Sequence, residues 1–254
     1  MLQLTEVPRW YLCNPYVVKG YRAPTSFWNS FRSVLQWHNE TLNIHTHMWP
    51  CVILFKILAD LPYCTPFQEA SLEARFTMIF GISSALYCLM ASTFFHIVLN
   101  VSEDWLNLSH KLDIIGIVVV NLGQQILNTL IWANGNPIAF WLIGVNQTIF
   151  AALCIKDIMK CSRAESLWAM RYPAITTVTT IVVTVFTDHH HEAVYASAAC
   201  STLVIIAGLV FLKGRIPERC CSNLGYYNSH IWHHICIVIA MAFSINATQH
   251  VKGL

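Results

Sequence analysis

The segment 77–99 contains no Asp, Glu, Lys or Arg, and it is long enough to cross a lipid bilayer. A transmembrane helix needs about 20 largely apolar residues. The rest of the chain agrees, because only 11% of its 254 residues are charged and its mean hydropathy is +0.51. Soluble domains carry roughly twice that share of charged residues. The sequence therefore predicts an integral membrane protein.

Seven segments approach this length, so we predict an all-α membrane protein with a seven-transmembrane helix bundle. The segments are 44–63, 77–99, 112–132, 137–156, 171–188, 195–213 and 230–249. The fifth is rich in Thr and Val, which also suit a strand, but a lone strand in lipid would leave its backbone polar groups unpaired. We assign residues 1–40 to an N-terminal segment, with an interfacial helix near 26–38, and residues 41–254 to the transmembrane domain.

The distribution of Lys and Arg predicts how the bundle lies in the membrane. The N-terminal segment contains four basic residues, and the segments after spans four and six are also basic. The segment after span five, 188–192, contains neither Lys nor Arg. Because cytosolic loops carry an excess of these residues, we expect a cytosolic N-terminus. The net charge of +2 and the lack of a basic stripe give no indication of a nucleic-acid partner. Golgi, endoplasmic reticulum and plasma membrane all fit the sequence.

Polar side chains interrupt three of the predicted spans. Ser92 and His96 lie one helical turn apart at the end of span two, and Asp113 lies at the start of span three. Three histidines lie at the start of span seven: His230, His233 and His234. With a cytosolic N-terminus, all three places fall near the inner leaflet. Ionisable residues inside a membrane are costly, so we interpret them as functional.

The spacing of these residues favours a metal site. His230 and His234 are four residues apart and share one face of a helix. Together with His96 they supply three imidazoles, which is typical of a catalytic zinc site with a fourth position open to water. Asp113 would hold or deprotonate that water, and Ser92 would donate a hydrogen bond to the water or to a substrate oxygen. For one histidine alone, a contact with a neighbouring helix is the simpler interpretation.

Other histidines fit less demanding roles. The run His189–His191 resembles a metal-binding tract, but we interpret it as a solvated loop. His45 and His47 lie at the mouth of span one, on the same side as the proposed site. We expect them to lie at the interface or to support the metal ligands from outside.

Five blocks of the sequence resemble the progestin and adipoQ receptor (PAQR) family, which is akin to bacterial haemolysin III proteins. They are "NPYVVKGYR" (14–22), "HNETLNIHTH" (38–47), "STFFH" (92–96), "HKLDIIGI" (110–117) and "IPER" (216–219) followed by "NSHIWHH" (228–234). Their order along the chain is that of the family. The last block resembles the fourth member of the family most closely.

The resemblance implies a seven-helix bundle with a cytosolic N-terminus and a zinc site near the cytosolic face. The family's ligands are one His from helix two and two from helix seven, which correspond here to His96, His230 and His234, with Ser92 and Asp113 close by. One departure affects the last block. The family reads His-Gln-Ile/Leu-Trp/Phe-His, whereas this chain reads His-Ile-Trp-His-His over 230–234.

The departure leaves the second ligand of span seven open. Alignment on "NSH" selects His230 and His234, whereas alignment on "IW" selects Ser229 and His233 and loses one imidazole. We prefer the first, and His233 stays a rival ligand.

The resemblance implies three functions for such a site. The first is zinc-dependent hydrolysis of a lipid amide, as in ceramidases, which releases sphingosine and a fatty acid. The second is a signalling receptor for a lipid, a steroid or an adiponectin-like ligand, in which zinc is structural. The third is a membrane scaffold in which zinc staples helices two and seven. The implied partners are the membrane and a lipid or sphingolipid, and the sequence identifies no protein partner.

Overall fold

The computed structural model describes residues 1–11, 14–133, 136–161, 192–221 and 226–250. The described chain is mainly helical. Its α-helices are α1 Phe27–Arg32, α2 Thr41–Asp60, α3 Thr65–Gln68, α4 Leu72–Val98, α5 Glu103–Ala133, α6 Pro137–Lys160, α7 Glu192–Gly214 and α8 Ser229–His250. Short 3-10 helices occupy Leu4–Glu6, Ser33–Leu35 and Leu61–Tyr63, and β1 (Leu2–Gln3) pairs antiparallel with β2 (Lys19–Tyr21).

Six of the seven predicted spans coincide with helices: α2, α4, α5, α6, α7 and α8. The fifth span, 171–188, and the run His189–His191 lie outside the described residues. By length and composition, three described helices can cross a membrane: Leu72–Val98, Glu103–Leu130 and Pro137–Lys160. Ala199–Gly214 and Ser229–Ile245 are shorter apolar helices. The protein is therefore a helical membrane protein with several spans.

The outer surface of α6 is apolar, as expected for a helix surrounded by lipid. One line of large apolar side chains along this helix is exposed: Ile138, Leu142, Val145, Ile149 and Leu153. An apolar surface of this extent is unfavourable in water but suits lipid. The helix begins as its sequence suggests, because the Asn136 side chain accepts a hydrogen bond from the Ala139 amide and Pro137 takes the first helical position.

The interfacial helix is shorter than the prediction of 26–38. It ends at Arg32, where the 3-10 helix Ser33–Leu35 takes over. The Ser33 hydroxyl donates to the Ser30 carbonyl and accepts from the Arg22 guanidinium, and these bonds tie the turn to the body of the protein. The indole of Trp28 is 75% exposed, which suits an aromatic side chain at a membrane surface.

Two glycines let α4 and α5 approach closely. A Cβ atom on Gly116 would lie 3.0 Å from the Cα of Cys88, and one on Gly123 would collide with the Ser84 hydroxyl. Small residues at such positions are the usual means by which membrane helices come together. The Gly116–Cys88 contact lies one helical turn from both Asp113 and Ser92, so it brings those two side chains together.

Candidate metal centre

Three histidines from two helices meet at one end of the bundle. His96 comes from the last turn of α4, and His230 and His234 come from the first two turns of α8. Their ligand atoms all lie within 4.8 Å of one another. The Nε2 atoms of His96 and His230 are 3.2 Å apart, and the ring centroids of His230 and His234 are 4.5 Å apart. We call these three residues the histidine cluster.

Three charged residues hold the histidine cluster from three sides, of which Arg22 and Glu218 are buried and Glu40 is partly buried. The first, Arg22, caps the end of α4. Its Nη2 donates to the carbonyl of His96 at 2.5 Å, and its Nη1 donates to the carbonyl of Ile97 at 2.9 Å. The last carbonyls of a helix have no partner within the helix, so this guanidinium satisfies them and fixes the turn that carries His96.

The second charged residue is Glu40, which precedes α2. Its Oε2 lies 2.8 Å from Nδ1 of His96, and Asn39 and Asn43 also donate to its carboxylate at 2.7 Å. Burial alone would raise the pKa of Glu40, but the hydrogen bonds from His96 and Asn43 and the charge of Arg22 outweigh it and lower the pKa to about 2. Glu40 is therefore ionised at neutral pH, and its carboxylate accepts a hydrogen bond from the Nδ1–H group of His96.

The third charged residue is Glu218, which is fully buried and holds the start of α8. It accepts hydrogen bonds from the backbone amide of Ser229 at 2.6 Å, from the Ser229 hydroxyl, and from the Asn14 amide at 2.8 Å. A carboxylate at a helix N-terminus satisfies free amides and interacts favourably with the helix dipole. Ser229 directly precedes His230, so the same bonds orient the first ligand of α8. We call Arg22, Glu40 and Glu218 the polar collar.

The two histidines of α2 differ in their relation to the cluster. The ring of His47 stacks on that of His234 with centroids 3.7 Å apart, and neither of its nitrogens has a hydrogen-bond partner among the described residues. The Thr46 hydroxyl lies 3.2 Å from Nδ1 of His234. His45 lies farther out, with Nε2 3.0 Å from the carbonyl of Val34. Of the two, His47 is thus in direct contact with the cluster.

His233 lies on another side of α8. A Cβ atom on Gly208 of α7 would be 3.0 Å from its Nδ1, so the ring packs against the backbone of α7. Its centroid is 6.2 Å from that of His230. In the described part of the chain, the group with metal-ligand geometry comprises His96, His230 and His234 and does not include His233.

Ser92 and Asp113 form a pair beside the cluster. The Ser92 hydroxyl and the ring of His96 both lie near enough to the Asp113 carboxylate to interact with it. Ser92 is buried one turn before His96 on the same face of α4. The structure thus brings together five of the six residues that the sequence singled out on these three helices, and the sixth, His233, lies apart.

The donor set of the cluster fits a transition metal. Because Nδ1 of His96 donates to Glu40, its Nε2 carries a lone pair, and this atom faces Nε2 of His230. Three imidazole nitrogens suit zinc, copper, iron and nickel, whereas magnesium and calcium prefer oxygen. A zinc site with three histidines and one open position is the arrangement of catalytic zinc. The chemistry of the donors therefore permits zinc without specifying it.

An apolar cavity of about 340 Å³ lies beyond the cluster, and the residues that line it do not include the three histidines. It lies between α2, α4 and α8, and its walls include Leu54, Leu89, Val238 and Met241. Val238 is one helical turn beyond His234, so the cavity extends away from the cluster toward the other end of these helices. Its lining suits a hydrocarbon chain.

Comparison with known proteins identifies the family of the chain. The haemolysin-III-related family matches residues 35–245. The ADIPOR-like receptor IZH2 of Saccharomyces cerevisiae is 30% identical over 267 aligned positions, which cover 98% of this chain and 81% of the yeast protein. The progestin and adipoQ receptor-like protein 1 of Caenorhabditis elegans is 26% identical and covers 94% of this chain, which spans 58% of the nematode protein.

A third relative shares only part of the chain. An uncharacterized protein of Schizosaccharomyces pombe is 36% identical over 104 residues, which are 41% of this chain and 24% of that protein. The match over 35–245 includes the whole histidine cluster, together with Glu40 and Glu218. The chain is thus a multi-pass helical membrane protein with a buried three-histidine site. It belongs to the haemolysin-III-related family, which includes the PAQR proteins.

Proposed function

We propose that this protein is a seven-span, zinc-dependent lipid amide hydrolase with its N-terminus and its site on the cytosolic side. One observation carries the proposal: the three imidazoles of the histidine cluster have Asp113 and Ser92 beside them, near enough for His96 and Ser92 to interact with the Asp113 carboxylate. His96, His230 and His234 would hold the ion. When bound, zinc polarises a carbonyl oxygen and lowers the pKa of water to near 7.

The chain's own residues supply the other parts of hydrolysis. The Asp113 carboxylate accepts a proton from water, and the Ser92 hydroxyl donates a hydrogen bond to the substrate carbonyl oxygen. The water oxygen forms a bond to the carbonyl carbon, the amide C–N bond then breaks as the carbonyl re-forms, and the proton held by Asp113 goes to the leaving amine. For a ceramide, the products are sphingosine and a fatty acid. The apolar cavity, whose lining begins at Val238 one helical turn beyond His234, supports a substrate with a long hydrocarbon chain.

The test is fatty-acid release from ceramide by the purified protein in lipid nanodiscs. We expect zinc-dependent release by the wild type and none by His96→Ala. His233→Ala is the matched control, because His233 faces α7, and it should hydrolyse ceramide at the wild-type rate. A wild-type protein that contains zinc but releases no fatty acid would exclude the hydrolase.

A second function is supported by the names of two relatives, the yeast ADIPOR-like receptor and the nematode progestin and adipoQ receptor-like protein. In that case zinc would be structural, and a lipid or steroid ligand would act through a shift of the helices. Zinc without ceramide turnover, together with ligand-dependent signalling in cells, would favour the receptor. Zinc whose removal lowers stability and changes neither activity would favour a scaffold.

A further inference from the structure

We propose that Glu40 is a positioning residue that sets the tautomer and the ring orientation of His96 for metal binding. The inference rests on the proposed metal site and concerns a residue that does not belong to the group with metal-ligand geometry among the described residues. Glu40 reaches the cluster through Nδ1 of His96, at 2.8 Å, and so contacts the ring edge opposite the nitrogen that faces His230.

The Glu40 side chain is directed at α4 and not at its own helix, α2. Glu40 occupies the N-cap position of α2, where a carboxylate commonly accepts hydrogen bonds from the first amides of its own helix. Among the described residues, its side chain makes no such bond. It crosses instead to His96 on α4, a residue 56 positions later in the chain.

The neighbours of Glu40 require it to be an acceptor. Oε1 accepts from the amide of Asn39, and Oε2 accepts from the amide of Asn43 as well as from His96. With donors on both oxygens, the carboxylate holds the proton of His96 on Nδ1. The lone pair is then on Nε2, the nitrogen directed at His230.

A metal-binding histidine commonly donates its second N–H to a carboxylate, which fixes the tautomer and raises the basicity of the ligand nitrogen. Loss of such a partner typically weakens metal affinity about 10- to 100-fold. His230 is positioned by Glu218, which binds the adjacent Ser229. His234 contacts the Thr46 hydroxyl. Glu40 therefore acts on one ligand of the three, and its removal should weaken the site without abolishing it.

The experiment measures zinc affinity by chelator competition and the visible absorption spectrum of the Co²⁺-loaded protein, both in nanodiscs. We expect Glu40→Ala to weaken zinc binding about 10- to 100-fold and to shift the Co²⁺ bands. Glu40→Gln keeps the shape and an acceptor oxygen but lacks the charge, so its affinity should lie between those of the wild type and Glu40→Ala. Glu73→Ala, in the first turn of α4, is the matched control for loss of a carboxylate at a helix start.

The outcomes separate this inference from the proposed function. If the wild type binds no zinc, the metal site and the inference both fail. If His96→Ala loses zinc while Glu40→Ala keeps wild-type affinity and an unchanged Co²⁺ spectrum, the metal site stands and the inference is wrong. Should Glu40→Ala fail to fold, Glu40→Gln decides, because wild-type affinity and spectrum in that variant would equally contradict a role for the carboxylate.

Discussion

Two polar clusters flank α5, and they are built from different groups. The histidine cluster, next to Asp113 in the first half of the helix, presents imidazole nitrogens that face one another. In the second half, amides and hydroxyls face one another instead. The Thr129 hydroxyl contacts the Gln125 carbonyl at 2.8 Å and Oε1 of Gln147 at 3.0 Å, and Gln124 donates to Asn128 at 3.4 Å.

The difference separates a binding site from a packing contact. Amides and hydroxyls satisfy one another as donor and acceptor, so the second cluster links α5 to α6 and needs no ligand. Two neutral imidazoles can share one proton, as Nε2 of His96 and Nε2 of His230 can at 3.2 Å, but three imidazoles whose ligand atoms lie within 4.8 Å of one another also form a ligand set for an ion. The histidine cluster also depends on the polar collar outside it, whose members come from three distant parts of the chain: Arg22, Glu40 and Glu218.

The largest effect is expected at Asp113, the proposed proton acceptor beside the histidine cluster. Asp113→Asn should lower ceramide turnover by about 10²- to 10⁴-fold, because the amide cannot accept the proton from water. Zinc content should not change, because the group with metal-ligand geometry does not include Asp113 in the described part of the chain. Turnover and zinc are measured on the same nanodisc preparation.

The matched control for this variant is Asp60→Asn, which removes a carboxylate from the exposed Lys56–Asp60 pair at the end of α2. We expect wild-type turnover from it. Undiminished ceramide hydrolysis by Asp113→Asn would rule out the proton-accepting role of Asp113.

A smaller effect, on stability, is expected in the polar collar. Glu218→Ala leaves three buried donors of Ser229 and Asn14 without their acceptor, so it should lower the free energy of unfolding by ~2–4 kcal/mol. It should also weaken zinc binding, because Ser229 precedes His230. Chemical denaturation in detergent micelles measures the first effect. An unfolding midpoint equal to that of Glu69→Ala, which removes an exposed carboxylate, would contradict this account.

The smallest effect is expected in the second cluster. Thr129→Val removes the hydroxyl that contacts Gln147 and keeps the shape of the side chain, so stability should fall by only about 0.6 kcal/mol. Zinc affinity and ceramide turnover should stay at wild-type values. A loss of zinc in this variant would mean that the two clusters are coupled through α5, and the distinction between them would fail.

The positions of the helices follow from the sequence because lipid imposes a simple length rule. Long apolar segments must be helical, and six of the seven predicted spans coincide with helices. The helical period then places His230 and His234 on one face, and the alternating direction of the spans places them at the end where His96 lies. These steps use only local spacing and topology, so the sequence suffices for them.

The polar collar could not be predicted in the same way. Glu40 stands at a helix start, where an acidic side chain is common because it interacts favourably with the dipole of its own helix. Glu218 stands in a loop, where charged residues are also common. Only the fold reveals that Glu218 is buried, that Glu40 is partly buried and that both are directed at other elements. The sequence likewise does not choose between an interfacial and a supporting role for His47, because its stacking on His234 depends on how α2 packs against α8. One signal was available, because the predicted orientation places Glu40 at the same depth as His96.

The central claim is that His96, His230 and His234 bind one zinc ion. Metal analysis of the purified wild type, His230→Ala, His233→Ala and His234→Ala tests it most directly. We predict one equivalent of zinc in the wild type and in His233→Ala, and a loss of zinc in the other two variants. A full equivalent in His234→Ala together with its loss in His233→Ala would contradict the ligand set, and a wild type without bound metal would contradict the site itself.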